Sequence, residues 1–135
     1  MQGLMRHSLR VTRRGSRSSR SWLGTGALAL LCATRIPGLN ACVAFYGIPE
    51  KGKADYSAIR CPVQLHFAEH DDWCTPERVA QLEQDMKRMG VREYELYRYD
   101  AQHAFMNAQR PEVYHPEAAG LAFGRTRDFL HRTLG

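Results

Sequence analysis

The stretch "PVQLHFAEHDDWCTP", Pro62–Pro76, decides the fold. Its first part, Pro62–Ala68, is typical of a strand buried on both faces, with proline at the first position, where no ladder donor is needed. A polar loop follows. Thr75 as N-cap and Pro76 at the first helical position then predict a helix that runs to Met89. The stretch therefore predicts a buried strand, a polar loop and a helix.

The pattern continues on both sides of this stretch. Upstream, Gly26–Arg35 predicts a buried helix, and the apolar run Ala41–Tyr46 predicts another strand buried on both faces. Downstream, Tyr94–Tyr99 predicts a third strand, and an amphipathic helix begins near Pro116. Buried strands alternating with helices indicate the α/β class, with a parallel sheet and flanking helices.

Charge is distributed unevenly along the 135 residues, a length that suits one modest domain. The net charge is +5, yet residues 1–35 hold seven arginines and no acidic residue, while residues 36–135 hold twelve Lys and Arg against fourteen Asp and Glu. The basic character therefore belongs to an N-terminal arm. No apolar run reaches the ~20 residues of a membrane span, so a membrane partner is not expected.

The arm, residues 1–22, is rich in arginine and serine. Such a segment could be an organelle transit peptide, a nucleic-acid-binding tail or a disordered extension without function. Disorder is favoured and nucleic acid is not expected as a partner, because no aromatic residue is interleaved with the arginines before Trp22. The predicted organisation is a disordered arm over 1–22 and a partial α/β domain over 23–135.

The four cysteines show neither a CxxC pair nor the spacing of metal ligands. A zinc site is therefore not expected. Reduced thiols in the core of a cytoplasmic protein are the favoured interpretation.

Acidic residues and a histidine follow the strands predicted at 62–68 and 94–99. Asp71 and Asp72 lie in the loop "AEHDDWCTP", and His103 lies in "DAQHAFMN". In open parallel sheets, functional residues lie just past the C-terminal ends of strands. An acid after one strand and a histidine after the next form the end of the Ser, Asp, His order of α/β-hydrolases. In such a site the acid accepts the Nδ1–H and the other ring nitrogen acts as general base.

Other side chains near this predicted site have simpler interpretations. Asp72 could cap a turn. Trp73 and Phe105 could line a pocket or pack in the core. The remaining histidines lack a matching acidic partner and are interpreted as structural or solvated: His7, His66, His70, His115 and His131.

Several motifs together resemble the C-terminal half of the dienelactone hydrolase family. These are "ACVAFYG", "PVQLHFAEHDDWCTP", "YRYDAQHAFMN" with His-Ala-Phe where the family has His-Gly-Phe, and "NAQRPEVYHPEAA". The resemblance covers about residues 24–135. It implies an α/β-hydrolase fold and cleavage of lactones and related carboxylic esters without a cofactor. It also implies that His103 is the general base and that Asp71 is the better candidate for its partner, with Asp72 still open.

The segment "GTGALALL" resembles the end of the family's nucleophile elbow, Gly-x-Cys/Ser-x-Gly-Gly. Gly26 matches the second glycine of the pair and Thr25 stands where the first would be, so the nucleophile position is Leu23. The resemblance thus implies a truncated relative without the N-terminal half of the fold. Its buried strands would keep an exposed edge, which another copy or a partner chain could cover.

Three functions follow as hypotheses. The first is hydrolysis of a small-molecule ester or lactone, with little activity because leucine stands at the nucleophile position. The second is a non-catalytic remnant or binding module that keeps the pocket loops. The third is nucleic-acid binding through the basic arm.

Overall fold

Five strands and three helices form the part of the chain that the computed structural model describes, namely residues 9–13, 20–23 and 26–134. The strands are β1 (Leu9–Arg13), β2 (Arg20–Leu23), β3 (Leu39–Phe45), β4 (Val63–His70) and β5 (Tyr94–Gln102). The helices are α1 (Gly26–Arg35), α2 (Pro76–Arg88) and α3 (Pro116–Leu134). A short 3₁₀ turn, Tyr56–Ala58, interrupts the polar connection between β3 and β4.

The strands form one sheet in the order β2-β1-β3-β4-β5. β3, β4 and β5 are mutually parallel, while β1 runs antiparallel to both β2 and β3. The predicted α/β class with a parallel sheet is therefore confirmed. The antiparallel pair beside it was not expected.

Helices cover both faces of the parallel strands, which explains why β3 and β4 are apolar on both faces. On one face, Val63, Leu65 and Phe67 of β4 join a core with buried residues of α1 and α2. On the other face, residues of β4 and β5 pack with Ala118, Ala119 and Ala122 of α3. The sheet thus lies between two layers of helices, and the C-terminal ends of its parallel strands lie together at one end of the sheet.

Local signals in the sequence set the ends of α2. The Thr75 hydroxyl accepts a hydrogen bond from the Arg78 amide at 3.3 Å, and Pro76 occupies the first turn. The helix ends at Arg88, and Gly90 follows with a φ of +82°. Glycine is favoured there because it adopts positive φ without steric cost.

Two segments of the arm predicted over residues 1–22 belong to the sheet. Leu9–Arg13 and Arg20–Leu23 are strands, and β1 pairs with β3. The edge of β3 that was expected to be exposed is therefore covered. The physical reason is that a buried strand leaves a row of unpaired N–H and C=O groups, which any available extended segment can pair. Residues 1–8 and 14–19 of the arm lie outside the described residues.

Within the described ranges, none of the helices is both long and apolar enough to cross a membrane.

Candidate active site

The register of β4 and β5 brings two candidate site residues together at the C-terminal ends of these strands. His70, the last residue of β4, pairs with Gln102, the last residue of β5. Asp71 and His103 are the next residues along each chain segment, so they leave the sheet side by side. The register shifts by one residue between Ala68 and His70, an irregularity of the kind that re-aims side chains at strand ends.

Asp71 and His103 form a direct hydrogen bond. The Nδ1 atom of His103 lies 2.5 Å from Oδ2 of Asp71. The other oxygen, Oδ1, accepts hydrogen bonds from the backbone amides of Trp73 at 2.8 Å and Cys74 at 2.9 Å. The predicted contact between the two residues is thus confirmed. The alternative acid, Asp72, is exposed.

The hydrogen bonds of Asp71 determine which ring nitrogen of His103 carries the proton. The Asp71 side chain is fully buried, and an ionised carboxylate can only accept hydrogen bonds. Nδ1 of His103 is therefore the protonated ring nitrogen, and Nε2 is left as an acceptor. The His103 side chain is 40% exposed, so the pair lies at the surface of the domain. This arrangement can take a proton at Nε2 and stabilise the imidazolium that results.

The ring of Tyr46 packs against His103, and Phe105 packs behind Tyr46. The ring of Tyr46 lies 5.2 Å from the His103 ring and packs edge-on against Phe105 at 5.4 Å. Phe105 is fully buried, so it belongs to the core. Trp73 is 74% exposed and stands beside Asp71 in the loop.

The first turn of α1 packs against the end of β3, close to this aromatic group. A Cβ at Gly26 would lie 2.3 Å from the carbonyl oxygen of Phe45, and one at Gly47 would lie 2.2 Å from the Ala27 amide nitrogen. Both positions require glycine because only glycine permits such close backbone contact. Leu23 is the last residue of β2. Residues 24 and 25 and the side chain of Leu23 lie outside the described residues.

None of the four cysteines has the features of an activated thiol. Burial raises the pKa of Cys61 to about 11. Burial also raises the pKa of Cys74 to about 11, helped by the negative charge of Asp71. Burial raises the pKa values of Cys32 and Cys42 as well. Since the thiolate is the nucleophilic form, burial disfavours nucleophilic attack by these four side chains.

A second ionisable pair lies next to the first, on the solvent side. Nε2 of His70 is 2.5 Å from Oδ1 of Asp100, and both side chains are exposed. Together with Glu69 they form the one group in the described residues whose potential metal-ligating atoms all lie within 4.8 Å of one another. The hydrogen bond between His70 and Asp100 already accounts for their proximity. The expectation that His70 has no acidic partner was wrong, because the partner lies on the neighbouring strand rather than nearby in sequence.

The sequence is similar to known proteins along most of its length. It matches the model of the "Dienelactone hydrolase family" over residues 23–134. The chain belongs to the dienelactone hydrolase family.

Similar proteins agree with this family and differ from the chain in length. "Protein usf" of Aquifex pyrophilus is 31% identical over 110 residues, and a "Putative carboxymethylenebutenolidase" of Aquifex aeolicus is 28% identical over 110 residues. Each alignment covers 81% of this chain and 48% of the relative. The chain thus spans about half the length of the curated relatives that it matches.

A solved structure shows the same fold. The crystal structure of a "Putative Dienelactone Hydrolase" from Klebsiella pneumoniae superposes with a TM-score of 0.63 at 23% identity. The match covers 73% of this chain and 45% of that one. The strands and helices within residues 23–134 therefore form part of an α/β-hydrolase fold of the dienelactone hydrolase type.

Two features of this candidate site were not predicted from the sequence. Tyr46 lies against His103 with a backbone φ of +42°, and Ala104 follows His103 with a φ of +64°. "FYG" and "HAF" are the local signals, since both segments directly follow a strand and precede a turn. Nothing in them specifies a left-handed backbone at a residue other than glycine.

Proposed function

We propose that Asp71 and His103 are the acid and the general base of a site for carboxylic ester or lactone hydrolysis. One observation carries the proposal: a buried carboxylate, held by two backbone amides, accepts a hydrogen bond from an imidazole whose other nitrogen is free to accept a proton. The family of the chain supports the same reaction. Asp71 orients the imidazole and stabilises its charged form, and His103 transfers the proton.

The reaction requires one proton transfer in each direction. His103 takes the proton of an attacking water at Nε2 as the new bond forms to the ester carbonyl carbon. The carbonyl π electrons move to the oxygen and return when the tetrahedral intermediate collapses. The bond to the leaving alkoxide then breaks, and the alkoxide receives the proton from Nε2. No cofactor is needed for this sequence.

Leucine at the expected nucleophile position limits what the chain can do by itself. Leu23 cannot attack a carbonyl, and burial disfavours the thiolate form of the four cysteines. Water is then the nucleophile that we propose for His103. Because nucleophile and base act as a unit, losing one removes most of the rate. We therefore propose that this chain has only slow residual esterase activity, which also keeps the non-catalytic binding module as the alternative.

Hydrolysis of an activated aryl acetate by the purified chain tests this proposal. Slow hydrolysis above the buffer rate is expected. His103→Ala and Asp71→Asn should each remove most of it, because general base catalysis contributes roughly 10²–10⁴-fold. His70→Ala is the matched control, since His70 makes an equally short contact with Asp100 but is exposed. That variant should retain the rate.

Two results would contradict the proposal. Equal rates for the unaltered chain and His103→Ala would exclude His103 as the base. Fast turnover that His103→Ala abolishes would instead show a nucleophile within the chain, and Ser21 would be the first residue to replace.

A cytoplasmic location and a small-molecule ester or lactone substrate are part of the same proposal. The four cysteines are free, as is usual for proteins in a reducing compartment. Nucleic-acid binding through residues 1–22 is the remaining alternative, and a steep salt dependence of RNA or DNA binding would support it.

A further inference from the structure

We propose that Tyr46 is a positioning residue that holds the imidazole of His103 in the orientation that Asp71 requires. The inference rests on the proposed function of the Asp71–His103 pair. It adds a third side chain, from a different strand, that acts on His103 through packing and does not touch the reacting atoms.

The backbone at Tyr46 is held in a conformation that tyrosine rarely adopts. Its φ is +42°, in the left-handed region, directly after the end of β3. The Tyr46 amide donates a 2.9 Å hydrogen bond to the carbonyl of His66 on the neighbouring strand, which anchors this turn. The next residue, Gly47, packs against the start of α1 too closely for any side chain. A strained residue of this kind persists only where its surroundings over-determine it, and such residues cluster at functional sites.

The strained turn directs the Tyr46 ring toward the loop that carries His103. The ring contacts the imidazole at 5.2 Å and the ring of Phe105 at 5.4 Å. Burial raises the pKa of Tyr46, and a backbone amide of Met106 directed at its hydroxyl partly opposes this effect. Tyr46 thus interacts with three residues of this loop: His103, the buried Phe105 and Met106.

Among the residues that the structure describes, the other restraint on His103 is one hydrogen bond, so a packing contact adds to its orientation. The bond from Nδ1 to Asp71 fixes one point of the ring, and 40% of the side chain is exposed. One fixed point still permits the ring to tilt and to turn away from the carboxylate. The Tyr46 ring, packed on the buried side of the imidazole, restricts this tilting and turning. Catalytic groups require orientation to within a small angle.

NMR of the imidazole nitrogens in the full chain, labelled with ¹⁵N-histidine, tests the proposal without relying on turnover. The signals of His103 are assigned by comparison with His103→Gln. The unaltered chain should show a slowly exchanging, low-field Nδ1 proton, which is the signature of the bond to Asp71. Tyr46→Gly removes the ring but suits the positive φ, so the backbone turn is retained. This variant should lose the protected Nδ1 proton.

Two further variants separate packing from general stability. Tyr46→Phe keeps the aromatic face and should keep the Nδ1 signal. Tyr99→Phe is the matched control, because Tyr99 is also buried and packs against Phe105 at 5.0 Å, but its hydroxyl contacts His66. It should keep the signal too. If the amide spectrum shows that Tyr46→Gly does not fold, Tyr46→Asn gives the same comparison, since asparagine tolerates the left-handed region.

The outcomes distinguish this proposal from the proposed function. A protected Nδ1 proton in folded Tyr46→Gly would overturn the role of Tyr46. Loss of the signal in Tyr99→Phe would also overturn it, because any loosening of the core would then suffice. Retention of the signal in Asp71→Asn would instead overturn the Asp71–His103 pair itself.

Discussion

At the scale of single residues, Ala104 marks where the loop after β5 departs from favourable backbone geometry. Its φ is +64°, and it is buried between His103 and Phe105. Left-handed backbone costs an L-residue roughly 1–2 kcal/mol, whereas glycine adopts it freely. The conformation explains why glycine suits this position in the His-Gly-Phe pattern that the chain resembles. Alanine keeps the turn only because the neighbouring rings and strands hold it.

Ala104→Gly should therefore stabilise the fold. The expected gain is about 0.5–1 kcal/mol, because relief of the backbone strain exceeds the extra entropy that glycine gives to the unfolded chain. The midpoint of urea unfolding should rise with an unchanged slope. The control is Ala101→Gly, in strand β5, which should lose about as much. A lower midpoint for Ala104→Gly would show that contacts of the Ala104 methyl group outweigh the strain.

The two ionisable residues of the site could be predicted from the sequence, but their partners could not. Asp71 and His103 follow apolar runs at strand ends, and the rule for parallel sheets places such residues together. The choice between Asp71 and Asp72 depends on the turn, in which Asp71 accepts two backbone amides. Tyr46 depends on a strained backbone and on contact with a loop 57 positions later in the chain, and neither has a local sequence signal.

At the scale of secondary-structure elements, a buried polar network joins β4, β5 and α3. The amide of Gln64 donates to Glu95 and to the backbone carbonyl of Arg125, so its oxygen faces His66 and accepts from Nε2. Nδ1 of His66 then accepts from the Tyr99 hydroxyl at 2.7 Å. His66 is fully buried and stacks on Phe45 at 4.5 Å. Both ring nitrogens thus have hydrogen-bond partners, with the proton of the neutral imidazole on Nε2.

This network predicts a loss of stability in acid. Burial lowers the pKa of His66 to about 3, and the positive charge of Arg125 adds to the effect, while Glu95 opposes it. Above pH 6.5 His66 is neutral in both states and adds no pH dependence. Between pH 6.5 and about 3 the unfolded chain binds a proton that the folded chain does not. The free energy of unfolding should therefore fall by up to about 1.4 kcal/mol per pH unit as the pH is lowered.

The pH dependence of urea unfolding tests this prediction. His66→Gln removes the ionisable group, so its free energy of unfolding should fall less steeply with acid than that of the unaltered chain. Tyr99→Phe is the control, since it loses one hydrogen bond but keeps His66. It should be less stable at every pH and keep the slope. Parallel curves for His66→Gln and the unaltered chain would show that other groups cause the acid sensitivity.

Sequence periodicity predicted the helices and strands better than the side-chain contacts between them. Both ends of α2 have local causes, Thr75 at the start and Gly90 after the end, and both were predicted. "PVQLHFA" was correctly predicted as a buried strand, but its Gln64 and His66 gave no indication of a network. Their partners come from β5 and α3, distant in sequence, so only the folded arrangement shows how these buried polar groups are satisfied.

At the scale of the whole molecule, β1 and β2 extend the sheet beyond its three parallel strands, next to β3. β3 is the outermost of the three parallel strands, on the side away from β5, and it is apolar and largely buried. β1 pairs with it from Val11 to Arg13. Without β1, the backbone groups of β3 along this edge would be unpaired. A flat apolar edge of this kind is a template for pairing with another chain. The basic composition of residues 1–22 gave no indication of these strands, because arginine and serine outnumber the few apolar residues around "LRVTR" and "RSWL".

Deletion of residues 1–22 should therefore cause self-association. The shortened chain exposes the β3 edge, so light scattering after size-exclusion chromatography should show dimers or larger species whose fraction rises with concentration. Deletion of residues 1–8 alone is the control, because it leaves β1 and β2 intact, and it should match the full chain. In the shortened chain, Asn40→Lys places a charge at the half-buried start of β3, which opposes edge-to-edge pairing. This variant should therefore reduce the association. A shortened chain that stays monomeric at high concentration and unfolds at the same urea concentration as the full chain would show that β1 does not protect this edge.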